Sequence, residues 1–308
     1  MSKKTLVILL GLFLVLLLIA FFPALSRRIK PTADQGILNA EVNFKPFTIQ
    51  STDSFSIKKG GEEKKFSKQN NSWQVNGFEA SQSEVQSFFD QLGKSKAEFL
   101  VSKNPENHKS YGLDEESGTL LSFTQNGQTS SFIIGNTASG GGFYAKKQNA
   151  NNAYTVSGGF IATKLSQDVS AWRNKTVFDI SKDQFQRAEI MAGKNTLTLT
   201  KNQEGKLEAE MSGTKQTLEQ AVADKIFMVI NPLVADGFLM DAEVQEFQKA
   251  ADKTIVRISP KGGQSIELRL MKKDSNWWGK VSGRETYYRF SDSKLADFTS
   301  LEKWFEKK

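Results

Sequence analysis

The chain has 308 residues, with 41 lysines and arginines against 34 acidic residues, one histidine and no cysteine. The absence of cysteine excludes disulfides, lipid-modified cysteine, thiolate metal sites and a cysteine nucleophile. Five basic residues and no acidic ones lie in the first thirty positions, which leaves 36 basic against 34 acidic residues in the rest. Because the basic excess is confined to the N-terminus, we expect no nucleic-acid-binding surface.

The N-terminal segment from Leu6 to Leu25 is an uninterrupted apolar run without a charged residue. At about 1.5 Å per residue, a helix of this length spans roughly 30 Å, the thickness of the bilayer core. We predict one transmembrane helix in a membrane anchor at residues 1–30, followed by a stalk at 31–41. A cleaved signal peptide is the alternative, although its apolar region is usually shorter. Basic residues flank both ends, so charge leaves the orientation open.

After the stalk, the same order of predicted elements occurs twice. Each copy opens with a three-stranded meander, from Asp53 to Val75 and from Gln186 to Met211, with Gly or Asn turn signals between short alternating segments. An amphipathic helix with a capping-box start follows each meander. The apolar stripes and capping pairs are Val85, Phe88, Phe89 and Leu92 with Ser81 and Glu84, and then Leu218, Val222, Ile226 and Val229 with Thr217 and Gln220.

Four further features match in the same order and predict an internal duplication. The matched pairs are Glu98-Phe99-Leu100 with Gly237-Phe238-Leu239, Thr119 to Phe123 with Thr254 to Ile258, Phe143-Tyr144 with Trp277-Trp278, and Trp172 with Trp304. The predicted fold is therefore α+β: a transmembrane helix followed by two tandem α+β repeats with mostly antiparallel sheets. The predicted repeats occupy residues 42–175 and 176–308. Accidental agreement of pattern is the alternative.

Residues suited to catalysis are few. His108 lies in a polar turn, where we expect an exposed or capping position rather than a general base. The cluster Asp114-Glu115-Glu116 is typical of a solvated loop. The run Gly140-Gly141-Gly142 is typical of a hairpin, because Phe143 follows where a phosphate-binding loop has lysine. We therefore expect no enzyme activity and no catalytic, cofactor-binding or metal-binding residues.

Adjacent aromatic residues in predicted strands are the main candidates for binding a partner. Neighbours on a strand point to opposite faces, so Phe143-Tyr144, Trp277-Trp278 and Tyr287-Tyr288 cannot all enter one core. Either both faces of each sheet are covered, or one face presents aromatic rings to a glycan or protein partner. Under the second alternative, the partner-binding residues are Trp277, Trp278 and Tyr144.

Several short motifs occur in a characteristic order. They are Phe55-Ser56-Ile57 through Trp73-Gln74-Val75, Ser102 to Pro105 leading to Tyr111-Gly112-Leu113-Asp114, Ile134-Gly135, Tyr144-Ala145 and Tyr154-Thr155-Val156. Together they resemble the bacterial domain-of-unknown-function family 4340, roughly from Phe44 to Lys175. The resemblance implies a bacterial protein with an N-terminal anchor and an extracytoplasmic body, often encoded beside ABC-type export components of the gliding-motility kind. The family has no established activity, so it implies no catalytic residues.

Three hypotheses for the function follow. The first is a non-enzymatic scaffold, anchored by a single pass in the bacterial cytoplasmic membrane, whose extracytoplasmic body meets a membrane protein such as an ABC-type permease. The second is a binding module for an envelope polymer or an exported substrate, which predicts an exposed aromatic groove. The third is a carboxylate-based hydrolase, which predicts two close carboxylates in a cleft, at least one with a raised pKa.

Overall fold

The computed structural model describes residues 40–251 and 254–299, without the side chains of 229, 230 and 297–299. The predicted anchor, most of the stalk and Trp304 lie outside these ranges. Among the described residues, no helix is both long and apolar enough to cross a membrane.

Between residues 40 and 172, the described chain contains nine strands, three α-helices and two short 3-10 helices. They are β1 (Ser54–Lys59), β2 (Glu62–Gln69), β3 (Ser72–Val75), β4 (Phe78–Glu79), α1 (Gln82–Lys94), β5 (Ala97–Ser102), the 3-10 helices Pro105–Asn107 and Lys109–Tyr111, β6 (Thr119–Gln125), β7 (Gln128–Thr137), β8 (Phe143–Lys147), β9 (Ala153–Val156), α2 (Phe160–Ser166) and α3 (Val169–Trp172).

The following part contains eleven strands and three helices among the described residues. They are β10 (Thr176–Phe178), β11 (Phe185–Ala192), β12 (Asn195–Lys201), β13 (Leu207–Met211), β14 (Thr214–Thr217), α4 (Gln220–Ile230), β15 (Leu233–Val234), β16 (Gly237–Phe238), α5 (Asp241–Lys249), β17 (Thr254–Pro260), β18 (Ile266–Lys273), β19 (Asn276–Val281), β20 (Tyr287–Ser291) and α6 (Asp292–Thr299).

The strands form two nine-stranded sheets and one two-stranded pair, β10 with β15. The first sheet has the order β4-β3-β2-β1-β6-β7-β8-β9-β5, and the second has the order β14-β13-β12-β11-β17-β18-β19-β20-β16. The second order is the first one with β1–β4 replaced by β11–β14, β5 by β16 and β6–β9 by β17–β20. The described registers are antiparallel. The α+β class with mostly antiparallel sheets is therefore confirmed.

Both predicted meanders form, and their turn residues explain why. The β2–β3 turn consists of Asn70 and Asn71, with φ angles of 49° and 64°. Asparagine is one of the few residues besides glycine that adopts this left-handed conformation readily, which a tight two-residue hairpin requires. In the second meander, Gly193 supplies the positive φ between β11 and β12.

Helix α1 buries the predicted stripe. Val85, Phe88, Phe89 and Leu92 are all buried, and the Phe88 ring stacks 5.3 Å from that of Phe55 on β1. The spacing i, i+3, i+4, i+7 places all four side chains on one face of the helix, which packs against the sheet.

The stripe predicted for α4 holds in part, because Leu218 and Ile226 are buried in one core cluster, while the side chain of Val229 lies outside the described residues. The helix begins at Gln220, so Leu218 precedes it and a periodicity counted from Leu218 does not apply. Val222 is 37% exposed, whereas Ala223 and Ile226 are buried. The capping box of Thr217 with Gln220 is also wrong, because the N-cap is Glu219, whose side chain makes no capping bond.

The described chain divides into two compact units. The first contains Ser83–Gln167 with the described residues through Lys68, and the second contains Gln69–Gln82 with the described residues from Asp168 onward. Stacked phenylalanine rings occupy the core of the first unit, with Phe55 and Phe66 4.1 Å apart. The core of the second unit is a cluster of aliphatic and aromatic residues that includes Trp277 and Phe290.

Candidate functional site

The segment between β5 and β6 forms a compact double turn, which we call the 102–114 segment. It begins at Ser102, whose hydroxyl accepts the main-chain N–H of Asn104 at 3.0 Å. The Asn104 side chain then accepts the N–H of Glu106 at 3.1 Å and caps the first 3-10 helix. Gly112 ends the second 3-10 helix with a left-handed φ of 67°. Serine, asparagine and glycine at these positions satisfy the main-chain groups of a chain that reverses twice.

The 102–114 segment lies directly against β7, and glycines make this approach feasible. A Cβ atom on Gly135 of β7 would lie 2.2 Å from the carbonyl oxygen of Tyr111. A Cβ atom on Gly118, which follows the segment, would lie 2.5 Å from the Cγ2 of Ile133. Side chains at these two positions would force the segment away from the sheet.

Tyr144 packs against the same segment. Its ring lies 4.7 Å from that of Tyr111, and it borders a small buried cluster of Leu113, Ile133 and Ala153. Tyr144 is half-buried. From its position on β8, Tyr144 therefore packs the 102–114 segment against the sheet.

His108 joins the two 3-10 helices, but its side chain is buried and not exposed as one alternative expected. Only 8% of the residue is accessible, and Nε2 lies 2.9 Å from the main-chain oxygen of Asn151. Since a carbonyl oxygen only accepts, Nε2 carries the proton and donates it. The ring thus ties the 102–114 segment to the β8–β9 loop.

Lys146 is a buried lysine that donates to the same loop. It is 7% exposed, and its Nζ donates to the main-chain oxygens of Gln148 at 2.8 Å and Ala150 at 3.2 Å. Burial lowers the pKa of Lys146, while the charge of Glu115 opposes this shift. Together, Lys146 and His108 bond three carbonyl groups of the β8–β9 loop.

A cavity of about 310 Å³ opens between these elements. His108 and Lys146 line it with the apolar side chains of Leu113 and Ile133, and Asp114 and Glu115 contribute carboxylates. The Ser117 hydroxyl and N–H donate to Asp114, and these bonds lower the pKa of that carboxyl group. The acidic cluster is thus engaged in its own turn, in agreement with the solvated loop that we predicted.

The cavity could admit a small polar molecule, with carboxylates to accept hydrogen bonds from it. No group of three or more histidine or acidic side chains that could hold a metal ion occurs in residues 40–251 and 254–299. The Nε2–H group of His108 and two of the Lys146 donors are directed to the loop carbonyls. The arrangement is therefore suited to fixing a loop more than to proton transfer.

Trp277 and Trp278 lie far from this cavity in the sequence, in the second unit, and neither forms an exposed platform. Each is 5% exposed. Trp277 belongs to the core, and its Nε1–H donates to Asp292 at 2.8 Å, which lowers the pKa of that carboxyl group. Their burial agrees with the alternative of covered sheet faces and contradicts the expectation of an accessible aromatic surface at these two positions.

Helix α5 lies over the face of the second sheet opposite to that core. Its Phe247 makes an edge contact with Tyr287 at 5.6 Å between ring centroids, and Glu243 pairs with Arg289 at 2.5 Å. Arg289 is the cross-strand partner of Trp278. Of the predicted partner-binding residues, Trp277 and Trp278 belong to the second unit and Tyr144 to the first.

Our sequence predictions did not include Lys146. Its position could have been inferred from the alternation of side chains along β8. Lys146 lies two residues after Tyr144 and therefore shares its face of the sheet. A lysine next to an inward-facing tyrosine indicates that its ammonium group needs internal acceptors.

A family model described as "Domain of unknown function (DUF4340)" matches residues 73–254, which is more than half of the chain. The matched range includes the whole 102–114 segment, the β8–β9 loop and the cavity between them. The comparisons with curated proteins and with solved structures give no match.

Proposed function

We propose that this chain, which belongs to the DUF4340 family, is a non-enzymatic scaffold or accessory protein of the bacterial cytoplasmic membrane. A single N-terminal helix from Leu6 to Leu25 anchors it, and the body is extracytoplasmic. The body consists of two α+β repeats that arose by duplication, at residues 42–175 and 176–308. The identical strand order of the two nine-stranded sheets supports this division.

The scaffold proposal is based on the hydrogen bonds of two buried side chains, His108 and Lys146. The buried histidine and the buried lysine of the candidate site donate to main-chain oxygens of Gln148, Ala150 and Asn151. A general acid or base needs its proton-transferring atom within reach of a substrate, whereas these bonds hold the β8–β9 loop to the 102–114 segment. The two side chains best suited to acid–base catalysis, His108 and Lys146, therefore stabilise a surface that a partner can recognise.

The anchor supports a role in assembly. Confining the body to the plane of a membrane raises its effective concentration near other membrane proteins, so a weak interface is sufficient for binding. An ABC-type permease is the partner that the family resemblance suggests.

Photocrosslinking in intact host membranes tests this proposal. A photoreactive amino acid would replace Met228 or Met240 of the full-length protein, since these side chains are 69% and 68% exposed. The matched control carries the same amino acid at buried Trp278. Capture of a membrane transport protein at an exposed position but not at the control supports the scaffold. Capture of glycan alone supports the envelope-polymer module instead, and no adduct at any exposed position contradicts both.

A second experiment separates the scaffold from an enzyme. His108→Gln retains an N–H donor for the loop carbonyl but cannot act as an imidazole base. We expect host cells that carry this variant to behave like wild type. A folded variant that loses all function would refute the non-enzymatic role.

A further inference from the structure

Two phenylalanine rings of the first unit stand in solvent. Phe160, the first residue of α2, is 78% exposed, and Phe99 on β5 is 46% exposed. They are the two most exposed aromatic side chains among the described residues. Transferring a ring of this size from water to an apolar environment is strongly favourable.

Both rings belong to one end of the first unit. Lys96 and Ser157 exchange hydrogen bonds, with Lys96 N donating to Ser157 Oγ at 3.1 Å and Ser157 N donating to Lys96 O at 2.9 Å. A Cβ atom on Gly159 would lie 2.2 Å from the oxygen of Gly141, so the β7–β8 loop touches the turn before α2. Phe99 pairs with Thr155, just before that turn.

The first described residue, Ala40, lies at the same end of the unit. Ala40, Val42 and Lys45 line a cavity of about 230 Å³ together with Ser95, Lys96 and Ala97. The segment is held firmly, because Phe44 packs on Phe132 at 4.9 Å and Phe47 stacks on Phe123 at 4.5 Å. We call this end the arrival face; it comprises residues 40–45, 95–99, 138–142 and 157–160.

The length of the preceding chain limits how far the arrival face can lie from the membrane. Ala40 is ten positions after Lys30, the last basic residue of the predicted anchor. Ten fully extended residues span at most roughly 35 Å. The anchor that we propose therefore keeps Ala40, and with it the end of the unit that bears Phe99 and Phe160, within roughly 35 Å of the bilayer.

We propose that the arrival face docks on the lipid surface, with Phe160 inserted among the acyl chains and Phe99 at the headgroup level. This inference rests on the proposed membrane anchor. Exposed lysines and acids are balanced on the arrival face, with Lys45 and Lys96 against Glu41 and Glu98, so the docking depends on burial of the two rings. Docking orients the first unit and directs the β8–β9 loop, at the other end of strand β8, away from the membrane.

Fluorescence quenching in vesicles tests the docking. The native chain has no cysteine, so single-cysteine variants of the full-length protein can be labelled with an environment-sensitive dye. The probe position is Ser139→Cys in the exposed β7–β8 loop of the arrival face. The matched control is Asn149→Cys, also exposed, in the β8–β9 loop at the other end of β8. The β8–β9 hairpin separates the two ends by roughly 15 Å.

Both variants would be reconstituted into vesicles of phosphatidylethanolamine and phosphatidylglycerol that contain a lipid with a nitroxide on its acyl chain. We expect strong quenching at position 139 and little at position 149. Adding Phe160→Ser to the Ser139→Cys variant should lower the ratio of docked to undocked protein by roughly tenfold, because the ring no longer leaves water.

The outcomes separate docking from anchoring. Protein that floats with the vesicles after an alkaline wash but shows equal, weak quenching at both positions refutes the docking alone. Protein that the wash removes from the vesicles refutes the anchor and, with it, the docking. Quenching at position 139 that does not change with Phe160→Ser refutes the insertion of this ring.

Discussion

Gly135→Ala should detach the 102–114 segment from β7. The new Cβ atom would lie 2.2 Å from the carbonyl oxygen of Tyr111 and 3.0 Å from that of Gly112, whereas ordinary contacts begin at about 3.4 Å. Main chain has to move by more than 1 Å, because neither neighbour is a flexible side-chain end. Overpacking of this kind costs about 3 kcal/mol, the upper part of the usual range.

Hydrogen exchange measured by mass spectrometry is the appropriate assay, because it reports local opening of the 102–114 segment separately from the rest of the chain. The N–H groups of Tyr111 and Leu113 both donate to His108 O, at 3.1 Å and 2.9 Å. We expect peptides that cover the 102–114 segment to exchange faster in Gly135→Ala by roughly two orders of magnitude, as a 3 kcal/mol loss implies.

The matched control is Gly237→Ala. Gly237 also lies in a strand, and a Cβ atom there would meet no atom within 4 Å. We expect hydrogen exchange of the 102–114 segment to change little in Gly237→Ala, because this substitution meets no neighbouring atom. Unchanged exchange of the 102–114 segment in Gly135→Ala would refute the claim that this segment is packed against β7.

Three further substitutions test individual contacts. His108→Leu removes the bond to the loop carbonyl and should lower the free energy of unfolding by about 1 kcal/mol in urea titrations; no change would contradict the structural role. Arg257 holds the pKa of Glu267 below its usual value, so this pair stabilises the fold above the unfolded pKa of that carboxyl group and is lost in acid. Arg257→Leu should therefore cost about 0.5–1 kcal/mol at pH 7 and less in acid, in urea titrations at both pH values. Trp277→Phe should raise the pKa of Asp292 towards its usual value in an NMR titration, because the indole N–H is the main cause of the lowered pKa.

Part of the fold followed from local chemistry. The turns at Asn70-Asn71 and Gly193 were predictable because only a few residues adopt a positive φ, and the stripe of α1 was predictable because four apolar residues have helical spacing. For α4 the same reasoning placed Val222 in the core, although the helix begins later than the apolar pattern. A periodicity gives the face of a helix only when the first helical residue is known.

The candidate site was harder to predict, because it depends on contacts between distant segments. His108 and Asn151 are 43 positions apart, and no local pattern indicates that one bonds the other. The acidic cluster after Gly112 was predictable as a solvated turn, since Asp114 bonds residues two and three positions ahead. The burial of Trp277 and Trp278 could not be predicted, because adjacent aromatic residues do not show whether the second face of their sheet is covered.

By itself, the sequence determined the α+β class, the antiparallel meanders, the near-neutral charge of the body and the resemblance to a family that the family model then matched. These properties depend on composition and on spacing within about twenty residues. Tertiary structure alone decided which polar groups are buried, that three carbonyl groups of one loop receive the donors of His108 and Lys146, and which phenylalanines remain in solvent. Burial depends on packing, and packing brings together residues that are distant in the sequence, so that no local pattern indicates their contact.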